Sequence, residues 1–169
     1  MPGPPFLAAE GTELRPIEPA DHGFPAERWN RRDVWLPTNT HEPLTTDDVA
    51  GVVDSDVSVN FPICADGDPI GSAWLFDIGG VHGRAELGYW VDADHRGEGH
   101  ATAAARLLVE YGVNEKRLRK LFVRVFEGND ISERVLRKVG FEQEGTLRNH
   151  YYVDGEWLDA SLCGYLADQ

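Results

Sequence analysis

At 169 residues the chain is one domain of ordinary size, and its 41% apolar content with five tryptophans excludes a disordered polymer. Sixteen basic residues against 29 acidic ones give a net charge of −13, which excludes the basic footprint that nucleic-acid binding requires. No apolar run approaches a membrane span, and Met1-Pro-Gly-Pro-Pro lacks the layout of a signal peptide, so a cytoplasmic protein without membrane contact is expected.

Residues 1–11 hold proline, glycine and small side chains with no period, and read as a flexible N-terminal segment; 12–169 read as a single domain. Thr12 to Glu18 is a strand. Pro19-Ala-Asp21 opens a helix carrying Phe24, Ala26 and Trp29. Val34 to Pro43, with two prolines and a Thr-Asn-Thr cluster, reads as a loop. Thr45 is an N-cap for a short helix reaching about Val53. The period then changes to two: Val57, Val59, Phe61 and Ile63 form a strand, and Asp66-Gly67-Asp68 turns the chain. Ile70–Ile78 and Ala85–Val91 complete a three-strand meander. Cys64 and Cys163 lie in apolar strands and read as buried free thiols, with no metal set and no disulfide framework.

The stretch from Glu86 to Leu108 carries the strongest signal. Leu87, Tyr89 and Val91 share one face of a strand, with Glu86, Gly88 and Trp90 on the other. Ala101, Ala104, Ala105 and Leu108 then make a helical stripe. Between them, Gly97 and Gly99 leave backbone N–H groups free of any Cβ at a helix N-terminus, where unpaired amides and the dipole favour an anion. Arg96 adds a charge. The turn reads as a phosphate cradle. It is not a P-loop, and Thr102 breaks the dinucleotide pattern.

Beyond it, Leu121–Phe126 is a β-prone run, and Asn129 to Glu133 opens a helix closed by Gly140. Strands at Phe141–Tyr151 and Trp157–Leu166, joined by Asp154-Gly155, end the chain. The order β-α-α-β-β-β-α-β-α-β-β predicts an α/β (α+β) fold, a mixed, mostly antiparallel central sheet flanked by helices.

Three ordered motifs carry a family resemblance: Arg96-Gly97-Glu98-Gly99-His100-Ala101 after its strand, Asn129 through Gly145, and Arg148 through Asp159. Together with Leu14-Arg15-Pro16 they resemble the GNAT N-acetyltransferases, in the branch of the RimJ/RimL-like ribosomal-protein N-terminal acetyltransferases. The resemblance implies that the Glu86 and Leu121 strands splay and admit acetyl-CoA as co-substrate. It gives cofactor contact to Leu87, Gly88, Tyr89, Trp90, Arg96, Gly97, Gly99, Ala101 and Asn129. Asn129 is equally a helix N-cap.

The implied reaction is direct attack of a primary amine on the thioester. Glu86, a carboxylate on an otherwise apolar strand, is the candidate base, and a solvent-facing strand carboxylate is the alternative. Many superfamily members place a tyrosine acid where this chain has Leu136; Ser132, one turn earlier, is the substitute, and Tyr151 and Tyr152 are further candidates. The preferred acceptor is a protein α-amine, whose pKa near ~8 leaves it partly neutral. A polyamine, an aminoglycoside-like amine, and a non-catalytic acyl-CoA-binding sensor are the alternatives. A homodimer is common in the branch. No metal is expected: the six histidines lack a His-x-x-x-His spacing, and His95 and His100 read as surface residues flanking the cradle.

Only Lys116, Lys120 and Lys138 are lysines, and acidic enrichment with scarce lysine reads as a halophilic surface. An acidic surface that attracts cationic amines is the other reading. On the halophilic reading the melting temperature rises markedly between low and molar potassium chloride as carboxylate repulsion is screened. A salt-independent melting curve would contradict it.

Overall fold

The computed structural model describes residues 3–168. Its strands are β1 (Leu7–Ala9), β2 (Thr12–Leu14), β3 (Val59–Ala65), β4 (Asp68–Gly79), β5 (Arg84–Val91), β6 (Lys120–Phe126), β7 (Glu142–Val153) and β8 (Glu156–Leu166). The helices are α1 (Gly23–Trp29), α2 (Arg32–Trp35), α3 (Thr46–Val53), α4 (His100–Asn114) and α5 (Asp130–Val139), with 3-10 turns at Pro19–Asp21 and Ala93–His95. The strands form one sheet in the order β1-β2-β3-β4-β5-β6-β8-β7. Every pairing is antiparallel except β5 with β6. The expected mixed, mostly antiparallel fold is borne out.

Local chemistry sets the turns. Asp66 and Gly67 lie at φ 51 and 87, and Asp154 and Gly155 at φ 49 and 86. Two left-handed residues in succession give the hairpin turn whose twist matches its flanking strands. Thr45 caps α3, accepting from the Asp48 amide while the Asp48 side chain accepts from the Thr45 amide. Alternation then gives the sheet two covered faces. On one, Leu75, Leu87 and Leu121 pack with Leu108 of α4 and Leu136 of α5. On the other, Trp74 and Trp90 pack with Trp29 and Phe24 of α1.

Two expectations need correcting. The segment before Thr12 is not loose throughout: Leu7 pairs with Leu14, and Phe6 stacks on Phe61 at 5.7 Å and meets Tyr111 edge-on at 5.8 Å. Phe6 stays 54% exposed, and its two ring contacts together with the pairing to β2 hold a three-residue strand that has no alternation to announce it. The Val34–Pro43 loop begins inside α2, whose Val34 is buried at 1% exposure.

The cavity is positioned by one break in the sheet. β5 pairs with β6 only at Arg84↔Lys120, Ala85↔Leu121 and Glu86↔Phe122. Beyond Glu86, β5 stays paired to β4 as far as Val91, and β6 stays paired to β8 as far as Phe126. The two strands therefore diverge in mid-sheet. No helix among the described residues is long and apolar enough to cross a membrane.

Candidate functional site

The divergence opens a cavity of about 910 Å³ lined by β5, β6, α5 and the chain from Trp29 to Thr40. Glu86, the last β5 residue paired to β6, is buried at 6% exposure. Arg124, two residues beyond its partner Phe122, donates Nε to Glu86 Oε1 at 2.8 Å and Nη2 to Oε2 at 2.7 Å. This bidentate pair spans the fork on one face of the sheet. Hydrogen bonding to Glu86 raises the Arg124 guanidinium above its ordinary pKa, with the Glu86 charge adding to it and burial opposing. Glu86, the candidate base, therefore lies at the fork with both carboxylate oxygens accepting from the Arg124 guanidinium.

Along the free edge of β5, each residue sits differently. Leu87 is buried in the core at 1% exposure. Gly88 faces Trp74, and a Cβ there would collide with the indole, so glycine is required for the ring to lie against the strand. Tyr89 points to α5, its hydroxyl 2.8 Å from Ser132 Oγ. Burial pushes the Tyr89 phenol up to about 12, opposed by the Ser132 hydrogen bond. Trp90 packs away from α5, stacked on Phe24 at 5.8 Å and edge-on to Trp29 at 5.9 Å.

At the end of β5 the expected turn forms. Gly97 and Gly99 lie at φ 80 and 88, where a side chain is strained, and α4 starts at His100. The first intrahelical bond at this end is Ala103 N–H to Gly99 O, which leaves the amides of the first turn without an intrahelical acceptor. Arg96 is already engaged: Nε donates to Val91 O at 3.0 Å and Nη2 to Asp33 O at 3.3 Å. It ties the turn to the strand end and to α2. Ala101 lines the cavity one residue into α4.

Asn129 caps α5, its Oδ1 accepting from the Ser132 amide at 3.3 Å, and both residues line the cavity. Leu136, at the position of the absent tyrosine, is buried in the core. Of the two other candidate acids, Tyr151 lines the cavity and Tyr152 does not; Tyr152 is half exposed and packs on Trp157 at 5.1 Å. Sequence reasoning missed Arg124, Trp74 and Asp77. Arg124 carried the same signal as Glu86, a charge inside an apolar run. Asp77 lies at φ 53 where the β4–β5 register shifts, a bulge that no composition marks.

A family model described as "Acetyltransferase (GNAT) domain" matches residues 12–142. The chain is similar to the spermidine N(1)-acetyltransferase of Escherichia coli, 29% identical over 157 residues, covering 90% of this chain and 84% of that protein. The ribosomal-protein-serine acetyltransferase of Escherichia coli is 29% identical over 84 residues, covering 50% of this chain and 47% of that one. Among solved structures, Mycobacterium smegmatis RimJ in complex with CoA-disulfide superposes with a TM-score of 0.80 at 26% identity, covering 92% of this chain and 82% of that one.

The fork pair is testable without any ligand. Glu86→Gln and Arg124→Met should each lower stability by about 1–3 kcal/mol, and the double variant should be less destabilised than the sum by ~1 kcal/mol or more. Urea unfolding of the four proteins measures the cycle. Additive losses would mean that the pair contributes no coupling across the fork.

Proposed function

Because the chain belongs to the GNAT acetyltransferase family and is an acetyl-CoA-dependent N-acetyltransferase, we propose that it acts on a protein α-amino group, as a member of the RimJ/RimL-like branch. The observation that carries the choice of acceptor is the charge pairing in the cavity. Three carboxylates line it: Asp33, Asp77 and Glu86. Asp33 is held by Arg31 at 3.0 Å and Arg96 at 3.6 Å, and Glu86 by Arg124. That leaves Asp77 as the one lining carboxylate without an ion pair among the described residues, too few for the two ammonium groups a triamine keeps. A polyamine brings further ammonium groups, each needing an uncompensated carboxylate once desolvated. A peptide N-terminus brings one amine followed by neutral main chain, which suits a wall of Thr38, Thr40, Ser55, Ser58 and Asn60.

Acetyl-CoA supplies an activated acetyl thioester. The unpaired edge of β5 from Leu87 to Trp90 suits an extended amide-bearing arm, which can replace the strand partner that β6 withholds. Gly97, Gly99 and Ala101 suit the pyrophosphate, with Asn129 beside the thioester. An α-amine, with a pKa near ~8, arrives partly neutral and needs no strong base before it attacks. Glu86 then serves with Arg124 as a fixed pair at the fork. Ser132 passes a proton to the departing thiolate, and water returns to the serine the proton that the attacking amine releases as the amide forms. Tyr89, held protonated by burial well above neutral pH, is 2.8 Å from Ser132 Oγ, and with the phenol as donor the serine proton is free to point elsewhere.

The similarity to spermidine N(1)-acetyltransferase over 90% of this chain favours the second reading, a polyamine acceptor. Thiol release measured over a panel of N-terminal peptides, lysine-blocked and unblocked, beside spermidine and an aminoglycoside separates the two. A kcat/KM for the best peptide at least about tenfold above spermidine, ~1.4 kcal/mol, is expected. A preference for spermidine would overturn the α-amine reading.

A further inference from the structure

The turn that carries the cradle brings together three side chains that the proposed chemistry does not use. His95 closes the 3-10 turn, Glu98 lies between the two glycines, and His100 is the first residue of α4. Glu98 Oε2 is 3.5 Å from His95 Nδ1 and 3.2 Å from His100 Nε2, and one donor atom from each residue lies within 4.8 Å of the others. Two zinc–ligand bonds of about 2.0–2.1 Å at a tetrahedral angle hold their donor atoms roughly 3.3–3.4 Å apart, so the two short separations are close to what an ion needs and the third, within 4.8 Å, closes by a small side-chain movement.

A second observation fixes the set. His100 is only 12% exposed, and its other ring nitrogen, Nδ1, lies 2.8 Å from Oγ1 of Thr12, a buried residue of β2. A hydrogen bond to the far imidazole nitrogen is the arrangement that orients a metal-binding histidine, because it holds the ring plane and dedicates Nε2 to the ligand position. Here Nε2 faces Glu98. The cluster therefore has a mixed nitrogen and oxygen donor set, one member rigidly held, and a fourth tetrahedral position without a side chain from the set.

We propose that His95, Glu98 and His100 form a binding site for a borderline divalent cation of the zinc type on the turn that carries the Gly97–Gly99 cradle. Two imidazoles and one carboxylate select a transition ion over magnesium or calcium, which take oxygen ligands. A cation bound here would cross-link the turn to the start of α4 and add positive charge beside the first-turn amides that have no intrahelical acceptor. Metal and acetyl-CoA would then each tighten the binding of the other, as linkage requires.

The test uses the full chain, first with no acetyl donor present, so its outcome is separate from the acetyltransferase reading. Calorimetric titration with zinc chloride should give one site per chain, and cobalt(II) should develop the visible absorption of a four-coordinate ion. Glu98→Gln, at an exposed position, should weaken zinc binding at least about tenfold, and His100→Asn should abolish it. Zinc at saturation should then tighten acetyl-CoA binding about threefold or more in the wild-type chain and not in Glu98→Gln. Failure to bind zinc, or binding that survives both substitutions, would overturn the site. An acetyl-CoA affinity indifferent to zinc would overturn the link to the cradle.

Discussion

The structure depends on two adjacent strands that stop pairing in mid-sheet. A central parallel pair in a sheet would ordinarily continue its ladder, because each unpaired backbone group away from water costs about as much as a lost hydrogen bond. Here the ladder between β5 and β6 ends at Glu86 and Phe122, and both strands run on. They can do so because each keeps its outer neighbour, β4 for the one and β8 for the other. The cavity and the free strand edge are both consequences of that divergence. β5 leads directly into the turn, so an elongated molecule lying along the edge arrives with its charged end at the amides of Gly97 to Ala101.

The interaction that marks the fork is the Glu86–Arg124 pair. It links the last paired residue of one strand to the first outward residue of the next turn of pleat on the other, the diagonal neighbours of a sheet face. One partner is buried and the other about a third exposed, so solvent screens part of the attraction. Its value lies in geometry as much as in stability. Two planar groups joined edge to edge by two parallel hydrogen bonds hold the strands at one separation. Behind it, Gly88 lets Trp74 lie flat on β5, and the tryptophan cluster with Trp29 and Trp90 backs the strand that must keep its far edge open.

Much of this was legible in the chain itself. Period-two segments found the strands, and Gly97 with Gly99 marked the cradle because the φ values needed there, 80 and 88, suit glycine. Glu86 stood out as a charge in an apolar run. What could not be read was who meets whom. The Glu86–Arg124 contact spans 38 residues and depends on a parallel register that neither segment encodes alone. Tyr89 with Ser132, 43 residues apart, is the same case. The β1 strand, three residues long, has too little pattern to register. The histidine cluster was passed over because its spacing, i, i+3 and i+5, matches no helical face; only the chain reversal at the glycines brings it together.

The central claim is that the unpaired edge of β5 receives the arm of acetyl-CoA and the glycine turn its pyrophosphate. Backbone amide hydrogen exchange, followed with and without saturating acetyl-CoA, reads both segments at once. The account expects strong protection to appear along Leu87–Val91 and across Gly97–Ala101, with the β3–β4 hairpin unchanged. Bound acetyl-CoA that left those amides exchanging as fast as before would contradict it.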